Sequence, residues 1–400
     1  MKTVVLEKDY SIKLSSSVVD FAYPDHVFIP MYSGYKLKVA NKEAIKKEQV
    51  LLINEQNIGV FSPISGVVVG AKECMMPNGE MQKCLVIEND FKEKMLNRTT
   101  MRKNLKQLSE KDFYEILDSK SVPNMDNGTE LLIDLFKNNI FDKILINGID
   151  DEPYIATKTF LVKNYAQEIL ETLSFLGRIF KTKENMIVLK NNDRDNIEGI
   201  TNVLGTYPEI SLTVVPDLYP IGNVDILKKH LNADYSNTLI LSPANIMACY
   251  NIIKKNKLVT EKYITITGEA ITNPIVINAK IGSSIKKIIA ENIKYLNNDE
   301  VDYIVNGSMR GVVLDIDELI VTNDLDGIII NFKKDYQESE CINCGKCSQV
   351  CPVGIDPNLI FNKNKKIEDS KKCINCGLCS YICPVYINFK RRIEDLRNEK

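Results

Sequence analysis

The sequence predicts a multidomain α/β and α+β protein that ends in a small ferredoxin-like domain for two [4Fe–4S] clusters. Three observations predict it: a β-rich start broken by turn signals, a middle in which strand and helix patterns alternate, and two copies of one four-cysteine motif near the C-terminus. At 400 residues the chain is too long for one small core, and two to four domains are expected.

Residues 1–90 read as a β domain. The first 30 residues are short alternating runs with little regular pattern. From Val27 to about Ile87, short strands such as VLLINE and GVVVGA are separated by turn signals at Ser33-Gly34, Pro63, Ser65-Gly66 and Pro77-Asn78-Gly79. That is the pattern of a small sandwich or barrel. Residues 91–255 read as an α/β domain. Its first part, residues 90–140, is charged and reads as mostly helical, with a break at Val122-Pro123-Asn124. DKILING (142–148), NMIVLKN and SLTVVPD then read as buried strands. Helical spacing over Ala166–Ile179 and in DNIEGITNVLG, which stops at Gly205, separates them. Such alternation implies a mostly parallel sheet with helices packed on it. Residues 256–332 return to strand and turn with one helix at Ser284–Asn292, a small α+β module. Residues 333–400 carry the cysteine motifs. The polar, charged stretch NFKKDYQESE before them reads as a linker, so this last segment is expected to be a detachable unit.

The formal net charge is −2, which gives no reason to expect a nucleic-acid partner. No apolar run approaches the ~18–20 residues that span a bilayer, and no signal-peptide core follows Met1. The expected location is the cytoplasm, free or held peripherally at the inner face of the membrane. Eleven cysteines in such a chain argue for metal rather than disulfides.

Eight of them form the pattern C-x2-C-x2-C-x3-C-P twice: Cys341, Cys344, Cys347 and Cys351-Pro352, then Cys373, Cys376, Cys379 and Cys383-Pro384. Three thiolates at two-residue gaps wrap three corners of one cubane, and the fourth, pointing elsewhere, ligates the other cluster. This assigns Cys341, Cys344, Cys347 and Cys383 to one cluster, and Cys373, Cys376, Cys379 and Cys351 to its neighbour. Gly345 and Gly377 are expected to let the backbone approach the inorganic sulfides, and each proline to end its ligand turn. Structural zinc is the competing reading, but zinc prefers two separated cysteine pairs. Cys74, Cys84 and Cys249 read as lone buried thiols, and His26 and His230 as isolated residues without a ligand role.

Several stretches, in order, resemble the RnfC family, the C subunit of the Rnf electron-transport complex. Phe61-Ser62-Pro63-Ile64-Ser65-Gly66 is similar to the hairpin His-Ala-Pro-x-Ser-Gly of that family's barrel-sandwich hybrid, a lipoyl-like module. The lysine that carries lipoate or biotin is missing here. Asn147-Gly148-Ile149-Asp150-Asp151-Glu152-Pro153-Tyr154 resembles Asn-x-x-Glu-x-Glu-Pro-Tyr, and Tyr219-Pro220-Ile221-Gly222 resembles Tyr-Pro-Gln-Gly, both from a Rossmann-like domain that binds FMN and NADH. Thr265-Ile266-Thr267-Gly268, Asn273-Pro274, Ile281-Gly282 and Asn306-Gly307-Ser308-Met309-Arg310-Gly311 look like its SLBB-like β-grasp domain. The resemblance implies Asn147, Glu152 and Tyr219 as candidates for a cofactor site, and assigns no catalytic residue.

That family carries a loop, Gly-x-Gly-Gly-x-Gly-Phe-Pro-Thr, whose backbone amides approach the flavin phosphate and nucleotide. The corresponding stretch here, SKSVPNMDNGTELLIDL (119–135), keeps only Gly128. Asp150 stands where the family has Glu, Asn223-Val224 replaces a small-residue-plus-Glu pair, and Asn245 replaces a Thr. These departures argue against FMN and NADH, and fit a divergent branch such as the electron-transfer protein associated with proline reductase. The leading expectation is an electron-transfer subunit that relays electrons through two [4Fe–4S] clusters to or from redox partner proteins. Those partners would be a reductase or membrane-bound electron-transport subunits. The alternatives are an FMN-dependent NADH-oxidising subunit of an Rnf-type complex, and a docking adaptor with structural clusters.

Overall fold

The computed structural model describes residues 19–96, 105–128, 130–231, 237–363 and 367–398. The readings made of residues 1–18 and 97–104 lie outside them.

The first β module is built from β2 (His26–Pro30), β3 (Lys36–Leu37), β4 (Ala44–Ile45), β5 (Val50–Ile53), β6 (Gly59–Phe61), β7 (Gly66–Met75) and β8 (Met81–Asn89). They form two antiparallel sheets, in the orders β2-β8-β7-β4 and β3-β5-β6. Alternation in His26–Pro30 turns Val27 and Ile29 inward, where they meet Leu51, Ile64, Val68 and Ile87. The pairing of β7 with β8 shifts register between Val68 and Gly70, and Gly70 takes φ +142° there, a backbone open to glycine. Strand β6 does not stand free. The Gly59 N–H donates to Ser121 Oγ at 2.9 Å, and Phe61 packs on the core of the α/β domain. Strand β1 (Val19–Phe21) leaves this module and lies parallel to a strand of the third one.

Residues 91–96 are not helical, contrary to the expectation for 90–140. The Lys47 N–H donates to the Lys94 carbonyl and the Leu96 N–H to the Lys47 carbonyl, so backbone pairing overrides the helix-forming composition. Helix begins properly at Glu110–Lys120, where Ser109 and Asp112 cap each other's backbone N–H. It ends at Ser121, whose φ of +46° starts the break.

The α/β domain holds β9 (Lys143–Asn147), β10 (Glu184–Lys190), β11 (Ile210–Val215) and β12 (Thr238–Leu241), all parallel, in the order β11-β10-β9-β12. Residues of β9 and β10 are buried on both faces. Ile144, Ile146, Ile187 and Leu189 join the larger core, while Leu145, Met186 and Val188 join a second one. This explains why these strands read as unbroken apolar runs. Sheet growth reverses between β9 and β12, and the crevice beyond their carboxyl ends is where such sheets offer a site.

The third module is a six-stranded mixed sheet. Strands β13 (Glu261–Thr267), β14 (Ile275–Lys280), β15 (Val301–Val305), β16 (Val312–Val313) and β17 (Gly327–Phe332) take the order β1-β14-β13-β17-β15-β16. Helix Ile285–Asn292 is capped by Ser284 and packs Ile285, Ile288 and Ile289 onto it. The cysteine segment follows as short helices, Lys346–Val350, Pro357–Lys363, Ile367–Ser370, Leu378–Tyr381 and Phe389–Asn398. Among the described residues no helix is long and apolar enough to cross a membrane.

Candidate metal centre and adjoining crevice

The cysteine segment forms two pockets. One is lined by Cys341, Cys344, Cys347 and Cys383 together with Ile342, Val385 and Phe389. The other is lined by Cys351, Cys373, Cys376 and Cys379 together with Val353, Ile355 and Ile393. Each void thus takes three thiols from one repeat and the fourth from the other. Gly345 and Gly377 both sit in the left-handed region, at φ +71° and +76°, directly before short helices. Their conformation, which disfavours a Cβ, is what brings the third thiol round. The Asn343 N–H points at Cys341 Sγ and the Asn375 N–H at Cys373 Sγ, each at 3.4 Å.

These donors fit a polynuclear cluster better than a single ion. A zinc ion draws four sulfurs to about 2.3 Å from one point. Among the described residues no three His, Cys, Asp or Glu groups converge that way. The thiols instead stand around voids walled by apolar side chains, as corners of a larger body require.

The three candidates in the α/β domain lie beside this segment. Asn147 ends β9, and its amide donates to the Gly222 carbonyl at 2.8 Å, tying the strand end to the Tyr219–Gly222 turn. Gly222 has room for no more, because a Cβ there would stand 2.7 Å from Asp151 Oδ1. Tyr219 Oη lies 3.2 Å from Glu152 Oε1 and 2.6 Å from the Cys376 carbonyl. Glu152 is buried and fully engaged. It accepts from Arg310 Nε at 2.7 Å, from the Met309 N–H at 2.8 Å and from the Arg310 N–H at 3.3 Å. Gly307, at φ +118°, lets that loop close on the carboxylate, since a Cβ would come within 2.3 Å of it. Burial pushes the Glu152 pKa up, against the pull of Arg310. Burial first and Glu152 next raise that of Tyr219, so the phenol keeps its proton.

Asp150 is turned to another use. It accepts from the Lys158 and Thr159 N–H groups at 2.7 and 3.0 Å and from Thr159 Oγ1 at 2.6 Å, so it caps the helix Thr157–Asn164. Burial pushes its carboxyl up to about 6 in spite of these donors. Asn223 likewise caps the helix that follows it, accepting from the Asp225 and Ile226 N–H groups.

The stretch Val122–Leu132 folds on itself. The Asn124 N–H donates to the Glu130 carbonyl, the Gly128 N–H to the Asn124 carbonyl and the Leu132 N–H to the Val122 carbonyl. The Met125 N–H donates to Asn245 Oδ1 at 2.8 Å, and the Asp126 N–H to Asn124 Oδ1 at 3.1 Å. Asn245 closes the knot by donating to Asn124 and Asp126. Lys262 donates to the Met125 carbonyl at 2.7 Å and lies 3.2 Å from Asp326. Thr129 lies outside the described residues. A phosphate cradle needs several N–H groups converging on one anion; here they are occupied within the protein, and Pro123 has none. The surroundings are also acidic. Burial lowers the Lys158 pKa, but Asp151, Asp126, Asp150 and Asp326 outweigh it and push it up to about 12. These residues do not fit a flavin phosphate at this loop.

Sequence reasoning missed Met309, Arg310, Ile374 and Lys390 as the residues that seat the cysteine segment, because their contacts are non-local. It also read Cys74 and Cys84 as lone thiols. The structure corrects this: they lie diagonally across β7 and β8 in one buried cluster with Ile320, and Cys84 Sγ donates to the Gln82 carbonyl at 3.4 Å. The hairpin around Pro77-Asn78-Gly79 was the available signal. Cys249 is alone in the α/β core, and burial pushes its thiol up to about 12.

Comparison with known proteins gives two family matches and a set of relatives. A family model described as the Nuo51 FMN-binding domain matches residues 132–251, and one described as a 4Fe-4S dicluster domain matches residues 335–389. The C subunit of the ion-translocating oxidoreductase complex of Buchnera aphidicola subsp. Acyrthosiphon pisum is 25% identical over 85% of this chain and 76% of its own length. The C subunit of the proton-translocating ferredoxin:NAD(+) oxidoreductase complex of Clostridium ljungdahlii is 23% identical over 84% and 78%. The equivalent ion-translocating oxidoreductase protein of Serratia proteamaculans is 22% identical over 84% of this chain, which spans 51% of that longer protein. A crystal structure of an NAD+-reducing [NiFe]-hydrogenase superposes with a TM-score of 0.46 at 10% identity, covering 72% of this chain and 60% of that one. The chain is a relative, along most of its length, of the C subunits of ion-translocating oxidoreductase complexes.

Proposed function

We propose that this relative of the Rnf C subunits is an iron–sulfur electron-transfer protein that performs no hydride chemistry of its own. The observation that carries the reading is the pair of four-cysteine voids seated against a crevice whose loop donors are already occupied. Bound [4Fe–4S] clusters supply one-electron exchange. The eight cysteines would hold them, and the apolar walls would keep water from the thiolates. Tyr219, Glu152 and Arg310 keep the segment seated on the α/β domain. The partners we infer are proteins: a terminal reductase for an amino acid such as proline, or membrane-bound subunits on which the chain docks at the inner face. The working division is a barrel-sandwich module (1–90, with β1 placed apart), a Rossmann-like domain (91–255), an SLBB-like β-grasp (256–332) and a ferredoxin-like domain (333–400).

A second reading has one specific support, the match of residues 132–251 to an FMN-binding family. In it FMN lies beyond β9 and β12, with Asn147, Glu152 and Tyr219 around it, and the chain oxidises NADH.

One preparation tests both. Anaerobically purified protein is expected to hold about eight iron and eight acid-labile sulfide per chain. It should contain no stoichiometric FMN, bind added FMN weakly, and show no bleaching of cluster absorbance on rapid mixing with NADH. About two irons would sink the cluster assignment. Stoichiometric flavin with reduction by NADH alone would overturn the first reading in favour of the second.

A further inference from the structure

The two cysteine repeats are near copies in sequence, yet their equivalent positions meet different surroundings. Ile342 is 61% exposed, whereas Ile374 packs on the core that contains Leu145, Ile149 and Ile221 under the parallel sheet. Around Gly345 nothing lies within 4 Å of where a Cβ would stand; at Gly377 the Met309 carbonyl oxygen would be 2.3 Å away. Cys344 is exposed, while the Cys376 carbonyl accepts the Tyr219 hydroxyl. Lys390, which lines the void of the second repeat, donates to the Arg310 carbonyl. Inside the segment the repeats make matching N–H to sulfur contacts. Inside it Cys341 Sγ also meets Asn358 and the Cys373 carbonyl accepts from Arg397, and the contacts from outside add a further difference between the two voids.

Glu152 arranges two of these outside contacts at once. It holds the Met309 and Arg310 N–H groups, and so places the carbonyl against which Gly377 rests. It also flanks Tyr219. The phenol has one proton and two acceptors. Glu152 Oε1 already receives Arg310 Nε at 2.7 Å, and the Cys376 carbonyl is the nearer by 2.6 Å to 3.2 Å, so the proton goes to the carbonyl.

We propose that Tyr219 is a positioning residue that makes the two cluster sites inequivalent. Its hydroxyl, donated to the Cys376 carbonyl, fixes the turn Asn375–Gly377 and sets the reduction potential at the inward void of Cys351, Cys373, Cys376 and Cys379. The potential at the outward void of Cys341, Cys344, Cys347 and Cys383 stays untouched. Hydrogen bonds near the sulfurs and exposure to water are the protein's means of setting such potentials. The positive end of the O–H dipole is directed at the Cys376 carbonyl, on a residue that lines the inward void, so it favours the more negative, reduced state there. This inference rests on the electron-transfer reading above.

The test is an EPR-monitored redox titration of the anaerobic holoprotein and of Tyr219→Phe, which keeps the ring and removes only the hydroxyl. One of two couples should move to a more negative potential while the other stays. The moving couple should be the one whose signal is lost in Cys376→Ser. Iron near eight with neither couple moved, or with both moved equally, overturns the inference and leaves the electron-transfer reading standing. Iron far below eight in the wild type overturns that reading instead. Amide hydrogen exchange of the unmodified protein then still decides the seating: residues 373–379 should exchange more slowly than 341–347, and equal rates would refute it.

Discussion

The cysteine segment and the crevice at the ends of β9 and β12 differ in what their polar groups face. In the segment eight thiols line two voids, four to each. In the crevice most polar groups face one another: Asn245 joins Asn124, Met125 and Asp126, and Asp150 caps a helix, while Asp151 Oδ1 is buried without a hydrogen-bond partner among the described residues. A site that waits for a ligand leaves donors or ligand atoms aimed at open space. A site that has closed on itself satisfies them within the protein. The fold of the α/β domain survives such closure, because its strands are held by cores on both faces of the sheet rather than by the loop. Relatedness in fold therefore does not by itself carry the flavin across.

The comparison breaks most visibly at Cys351. Although it follows the first repeat, Cys351→Ser should disturb the site of Cys373, Cys376 and Cys379, lowering iron from about eight toward about four. EPR that finds the site of Cys341, Cys344 and Cys347 lost instead would mean the cross-over is wrong. A smaller effect separates the two glycines. Both alanine variants bear a left-handed backbone penalty of about 1–2 kcal/mol. Gly377→Ala also collides with the Met309 carbonyl, which Gly345→Ala has no counterpart to. Thermal melts of the holoproteins should place Gly377→Ala clearly below Gly345→Ala; equal melts would remove the inward seating.

A pH-dependent effect concerns Asp150. Its folded pKa of about 6 lies above the ordinary value of 3.8, so between those limits the folded state binds more protons than the unfolded. Its contribution therefore falls as pH rises from about 4 to about 6, by at most about 3 kcal/mol. Asp150→Asn should lose part of the helix cap, costing about 1 kcal/mol near pH 4, and should gain relative to wild type as pH rises. Hydrogen exchange in the helix Thr157–Asn164 at both ends of that window reads it. A shift of opposite sign would mean that the three donors to the carboxylate outweigh its burial.

Much of this was legible in the residues because the signals were local. Apolar runs such as Lys143–Asn147 marked strands buried on both faces, and the cysteine spacing marked which four thiols would share a void. The glycine-poor stretch around Asn124 marked a departure from the family's phosphate-binding loop, while residues 132–251 still match an FMN-binding family model. What stayed hidden depends on partners far away in sequence. Residues 91–96 have helix-forming composition, but Phe91 and Glu93 take positive φ and Lys47 pairs with Lys94 and Leu96. Nothing near Gly377 announces Met309, and the turn at Pro77-Asn78-Gly79 announces a hairpin without saying that Cys74 and Cys84 share its buried face.

Strand β1 sits at the edge of the third module's sheet, where Val19 pairs with Ile277. On a ribosome adding about 5–20 residues per second, that partner emerges roughly 13–50 s after β1 itself. For that interval Val19–Phe21 has no sheet to join, while the first and second modules can already be forming their cores. The third module's edge is thus completed by a segment made well before its partner strand, and its closure waits for that strand.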